Sequence, residues 1–217
     1  MDIIIRQVFL PGGREVNILL PEKPCPDITA IDNPLGYYFL LSNGTGYAAL
    51  TEVFALATLL GKDELIYYPL EFAHMEAYKK EWNPPEYMKL FKGVAIFNFN
   101  AIKISARDIA AALEIKTYNK EKQSRRTDFA KEYIDIWKIK RKLTVKSAGK
   151  LLIISGYRET FTSMAQSCAR LSKCGDDAEC NFEAHEHHDW DEENTAKSIG
   201  ISFHYWHNGE DRQSITD

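Results

Sequence analysis

Only four cysteines, Cys25, Cys168, Cys174 and Cys180, occur in 217 residues, too few and too unevenly spaced to staple a chain of this length. A disulfide framework is therefore excluded, and reduced thiols in a cytoplasmic protein are expected. No apolar run approaches the ~18 residues a membrane-spanning helix requires. The opening Met1-Asp2-Ile3-Ile4-Ile5-Arg6 has no basic segment ahead of an apolar core and no small-residue cleavage site, so no secretory leader is expected. Gly44 and Gly46 precede a helical pattern, but there is no third glycine and no Gly-Lys-Ser/Thr, so a plain turn is expected rather than a phosphate loop. Ser155-Gly156 and Ser163 lack the Gly-x-Ser-x-Gly elbow, and no cysteine sits at a positively charged helix start beside an identifiable histidine. Nucleophilic catalysis has little support, and the carboxylates are too many for one acid–base pair to stand out.

What is present is a folded composition with segregated charge. Hydrophobic residues make up 45% and charged residues 27%, which excludes disorder throughout. The net charge is −4, yet Lys116–Lys150 carries twelve Lys/Arg against four Asp/Glu, a local +8. Residues 175–217 carry twelve Asp/Glu against Lys197 and Arg212, a local −10. A basic middle and an acidic terminal region are thus the clearest functional signal. With a pI near 5.9 the whole molecule will not coat nucleic acid; such binding would be local to the basic middle.

The pattern of elements reads as an α+β domain spanning 1–217, with mostly antiparallel short strands and about five helices packed around them. Strand-like runs at Asp2–Leu10 and Arg14–Leu20 flank Pro11-Gly12-Gly13 as a hairpin, and Pro21–Pro26 stops regular structure. Tyr37–Ser42 is a short apolar run, and Leu65–Tyr68 and Val94–Phe99 read as strands. Helices are expected at Thr51–Leu60 (N-cap Thr51, deeply buried), Glu71–Trp82, Ser105–Ile115, Thr127–Lys140 and Arg158–Lys173. Leu143–Val145 and Leu151–Ser155 read as one hairpin, and Asn181–Trp190 with Ser198–Trp206 as another. The polar 117–126 segment is the candidate mobile loop or soft boundary.

Three functional readings follow. The first is a non-enzymatic binding protein of the inhibitor or immunity type, engaging a basic protein such as a toxin or nuclease. Its surface would be Glu183, Glu186, Asp189, Trp190, Asp191, Tyr205 and Trp206, with rings as anchors and carboxylates steering the partner. The second is a DNA-binding protein with a winged-helix-like region at 105–155, in which Lys131, Lys138, Arg141, Lys142, Lys146 and Lys150 neutralise phosphates. Against it, the linker between the two helices is long, and the exposed helix face lacks the Arg, Asn or Gln that read bases. The third is a zinc-dependent hydrolase. His185 and His187 alternate onto one face of a strand, and His204 across the hairpin would complete three imidazoles. The first reading is preferred, and it requires no cofactor.

Overall fold

The computed structural model describes residues 1–33, 37–71, 89–116, 118–125, 143–174, 185–188 and 200–206. β1 (Asp2–Phe9) and β2 (Glu15–Pro21) form the expected hairpin, in register from Ile3↔Pro21 to Phe9↔Glu15. Gly12 and Gly13 close it at φ of +99° and +80°, where a side chain would be strained. The proline-rich stretch ends β2 but interrupts the chain only briefly. β3 (Ile28–Asn33), which the sequence reading did not mark, pairs antiparallel with β4 (Tyr37–Ser42).

α1 (Gly44–Ala57) begins earlier than the expected Thr51, because Asn43 is its N-cap and accepts the Gly46 N–H at 3.0 Å. The two glycines are packing residues. A Cβ on Gly46 would collide with Ser42 Oγ and come within 2.9 Å of Ile28 Cγ1, and one on Gly44 would lie 2.8 Å from the Ser172 carbonyl. Tyr47, Leu50, Val53, Phe54 and Leu56 are buried, so the expectation of a deeply buried helix holds even though its start does not.

β5 (Glu64–Pro69) and the short β6 (Lys89–Leu90) precede β7 (Gly93–Asn98), a run of six buried residues. α2 (Ala106–Glu114) is capped as expected by Ser105, whose Oγ accepts the Asp108 N–H at 3.1 Å. β8 (Asn119–Ser124) occupies most of the 117–126 segment, where a mobile loop or soft boundary is expected from sequence. β9 (Leu143–Ala148) and β10 (Leu151–Gly156) form the expected hairpin, followed by α3 (Arg158–Leu171). β11 (His185–His188) and β12 (Ile201–Tyr205) form the other. The helices expected at Glu71–Trp82 and Thr127–Lys140 fall outside the described residues, Glu71 excepted.

The strands assemble into two sheets, ordered β8-β1-β2-β5-β7-β10-β9 and β11-β12-β4-β3-β6. Both are mixed, since β2–β5, β7–β10 and β4–β12 run parallel while the other pairs are antiparallel. The expected α+β fold with about five helices and mostly antiparallel strands is therefore corrected. The protein is mostly sheet, with twelve strands and three helices among the described residues. The error has a physical origin: a parallel pair joins segments far apart in sequence, which no local periodicity reveals.

The layers follow from the apolar clusters. One cluster unites Ile3, Leu19, Ile66, Ile96 and Ile154 of the larger sheet, Phe54 and Leu56 of α1, Phe161 and Met164 of α3, and Ile28, Leu40 and Phe203 of the smaller sheet. The two helices thus form a middle layer with a sheet on either side. The outer face of the larger sheet carries a second cluster, where Val16, Ile18, Ala95 and Ile153 pack against Ile109 and Ala112 of α2. Ile31, Leu41 and Trp206 form a third on the outer face of the smaller sheet.

Candidate functional site

Of the residues singled out from sequence, His185, Glu186, His187, His204 and Tyr205 lie on β11 and β12, at one edge of the smaller sheet. The register is His185↔His204, Glu186↔Phe203, His187↔Ser202 and His188↔Ile201. Phe203 belongs to the core between the sheets, so alternation turns Glu186 and His188 toward the helix layer and His185 and His204 toward the outer face.

On the inner side, Arg170 of α3 grips the Glu186 carboxylate through Nη2 at 2.8 Å and Nε at 3.1 Å. Its Nη2 also lies 3.2 Å from Ser167 Oγ. His188 is buried, its ring 4.6 Å from that of Phe203. Tyr205 stacks on Tyr47 at 6.3 Å between centroids. The Tyr47 hydroxyl donates toward the carbonyls of His204 and Leu40, at 2.7 and 3.0 Å. Burial pushes that phenol well above its ordinary pKa, so it stays a neutral donor.

On the outer side the imidazoles of His185 and His204 stack, with centroids 5.3 Å apart and planes 10° from parallel. Phe39 of β4 lies beside His204 at 4.4 Å. Ring lone pairs lie in the ring planes, and nearly parallel planes at this separation do not meet at the ~2.0–2.1 Å where zinc binds imidazole. Ligation would require one ring to turn. His187 pairs with Ser202 in register. Among the described residues no group of three His, Cys, Asp or Glu is placed to hold a metal ion.

Two of the expected recognition residues are corrected. Tyr205 and Trp206 are 6% and 3% exposed, so their rings belong to the interior and do not face a partner. The sequence pattern contained the warning, because alternation along β12 places Tyr205 on the face of Ile201 and Phe203. Glu186 is committed to Arg170. Glu183, Asp189, Trp190 and Asp191 lie outside the described residues.

The winged-helix reading loses its wing. β9 and β10 are built into the larger sheet, with β10 bonded to β9 on one side and β7 on the other, so the hairpin does not project. Lys146 and Lys150 are exposed on that hairpin, while Lys131, Lys138, Arg141 and Lys142 lie outside the described residues.

What sequence reasoning missed is where the basic segment spends its charge. Arg125 holds Glu64 bidentately, with Nη1 at 3.0 Å and Nη2 at 2.7 Å, and Gly61 N–H adds a third bond at 2.7 Å. Burial pushes the Glu64 carboxyl up, but the Arg125 hydrogen bonds, the Gly61 N–H and the charge of Arg125 outweigh it, and the net shift is downward. Lys122 on β8 pairs with Glu22. Among the described residues, the ion pairs of the basic segment thus run to acids of the first 64 positions, and Glu186 of the acidic region pairs with Arg170. Comparison with family models, curated proteins and solved structures finds no match to this chain.

Proposed function

We propose that this chain is a non-enzymatic binding protein whose acidic terminal region, 175–217, receives a basic protein partner. The observation that supports it is the direction of the ion pairs. Arg125 and Lys122 are matched to Glu64 and Glu22, so the −10 of residues 175–217 is not neutralised by these cations. A surplus of one sign on one region steers an oppositely charged partner and speeds encounter. With Tyr205 and Trp206 in the interior, the aromatic anchor falls to Trp190, flanked by Asp189 and Asp191. A nuclease or toxin, whose own substrate surface is positive, has the complementary chemistry.

Affinity capture from the native host followed by mass spectrometry is expected to recover a protein with a pI above about 9. The purified pair should weaken steeply between low and high salt. Trp190→Ala should cost about 2 kcal/mol or more of affinity if that ring is an anchor. A complex indifferent both to salt and to Trp190→Ala refutes the assignment.

A further inference from the structure

Away from the acidic region, one border of the larger sheet is open. β8 is its terminal strand, bonded among the described residues to β1 alone, and all six of its residues are exposed. The register fixes which backbone groups face outward. Met1 and Arg125, one step before the ladder, exchange both bonds: the Met1 amine donates to the Arg125 carbonyl and the Arg125 N–H to the Met1 carbonyl, each at 3.2 Å. In an antiparallel ladder such doubly bonded pairs alternate with pairs whose groups point apart. Ile3↔Gln123, Ile5↔Glu121 and Gln7↔Asn119 are therefore bonded pairs, whereas Asp2↔Ser124, Ile4↔Lys122 and Arg6↔Lys120 are not. The Asp2 carbonyl accordingly turns to the other side, accepting the Glu22 N–H at 3.0 Å. The N–H and C=O groups of Lys120, Lys122 and Ser124 are left facing the open border.

Side-chain alternation adds charge to that border. Ile4 and Val8 pack on the outer face of the sheet, so Arg6, Lys120 and Lys122 share that face. The Arg6 guanidinium lies 4.8 Å over the Tyr118 ring, and its Nε makes no hydrogen bond. Among the described residues neither Arg6 nor Lys120 has an ion pair, while Lys122 pairs with Glu22. Glu121 is turned to the opposite face, between Asn119 and Gln123. A second copy of β8 is a poor occupant. Only residues whose groups face the border can bond across it, so the antiparallel registers with most overlap set Lys122 against Lys122 or Lys120 of the copy. A strand of negative charge meets the same lysines favourably.

We propose that β8 takes up an extended acidic segment of another protein as an added antiparallel strand, with acids at the alternate positions opposite Lys120 and Lys122 and none between them, where the segment meets Glu121. Main-chain bonds to Lys120, Lys122 and Ser124 hold the strand, and the lysines select its sequence. The site is separate from the acidic terminal region and takes a partner of opposite charge. It is read by titrating the full chain with a blocked peptide, Thr-Val-Glu-Thr-Glu-Val-Thr, at physiological ionic strength and following amide hydrogen exchange. In the free protein the amides of Lys120, Lys122 and Ser124 should exchange faster than those of Glu121 and Gln123, and the peptide should slow those three saturably. An isomer with its acids adjacent, Thr-Val-Glu-Glu-Thr-Val-Thr, should bind about fivefold more weakly. N-methylation of both Glu residues of the probe should abolish protection, and N-methylation of the Thr between them should leave it. Lys120→Glu combined with Lys122→Glu should lower affinity for the probe about fivefold and raise it for Thr-Val-Lys-Thr-Lys-Val-Thr, an exchange that a misfolded variant cannot show. Binding indifferent to N-methylation or equal for the isomer overturns the proposal. So does protection that grows with protein concentration alone, which marks a second copy, or that a short oligonucleotide gives and the peptide does not.

Discussion

Glu64 shows how much a single side chain can hold. It ties the end of β8 to β5 through Arg125, and its carboxyl stays ionised despite burial because three donors face it. Its pKa is lowered in the folded chain, so its contribution is present above the ordinary glutamate value and is lost as pH falls through the folded value. Glu64→Gln should therefore destabilise the protein by about 2 kcal/mol at neutral pH, with the gap to wild type closing below about pH 4. Denaturant titrations at pH 7 and pH 3.5 measure both parts; a gap that does not shrink in acid would rule out the linkage. Tyr47 is the second such residue. Tyr47→Phe removes the donor facing the His204 and Leu40 carbonyls and should cost about 1–2 kcal/mol, measured the same way.

Among the elements, α1 depends most on its opening residues. Gly46 admits the close approach of Ser42 and Ile28, so Gly46→Ala should destabilise by about 1–3 kcal/mol through overpacking. Asn43→Ala, which removes only the cap, should cost about 1 kcal/mol. Thermal unfolding of the two variants separates packing from capping. At the other extreme, β8 is an edge strand whose six residues are all exposed. Lys120 and Lys122 on it act as guards against pairing between copies of the sheet. Replacing both with isoleucine is expected to produce concentration-dependent association in light scattering, where wild type stays monodisperse.

These elements also mark what could be read in advance. The hairpin at Gly12-Gly13, the Ser105 cap, α3 and the His185–His204 register are local signals, and each was legible from spacing alone. The start of α1 was not, because Gly44 and Gly46 imitate a turn until Ser42, Ile28 and Ser172 are seen crowding them. β8 was not either: its polar run carries no apolar alternation, and its partner β1 lies more than a hundred residues away. Of the candidate site, the charge segregation was visible and the pairing of Arg125 with Glu64 was not, since 61 positions separate them.

For the whole molecule, the layer of α1 and α3 is what makes one fold of two sheets. Either sheet alone would leave an inner apolar face uncovered, so the sheets and the helix pair are expected to unfold together. A single transition, coincident in far-ultraviolet dichroism and in tryptophan fluorescence, is the expected outcome, and two separated transitions would contradict the shared core. Among the described residues no helix is long and apolar enough to cross a membrane.

The position of β12 has a further consequence for biosynthesis. This strand comes late in the chain, yet it is inserted between β4 and β11 and not added at a border. As a ribosome works from the first residue toward residue 200, β4 emerges with its neighbour still unmade, its backbone edge and the Phe54 side of α1 open to any passing strand. Nascent chains stalled at that point should be captured by chaperones, and those extended past Trp206 should be released.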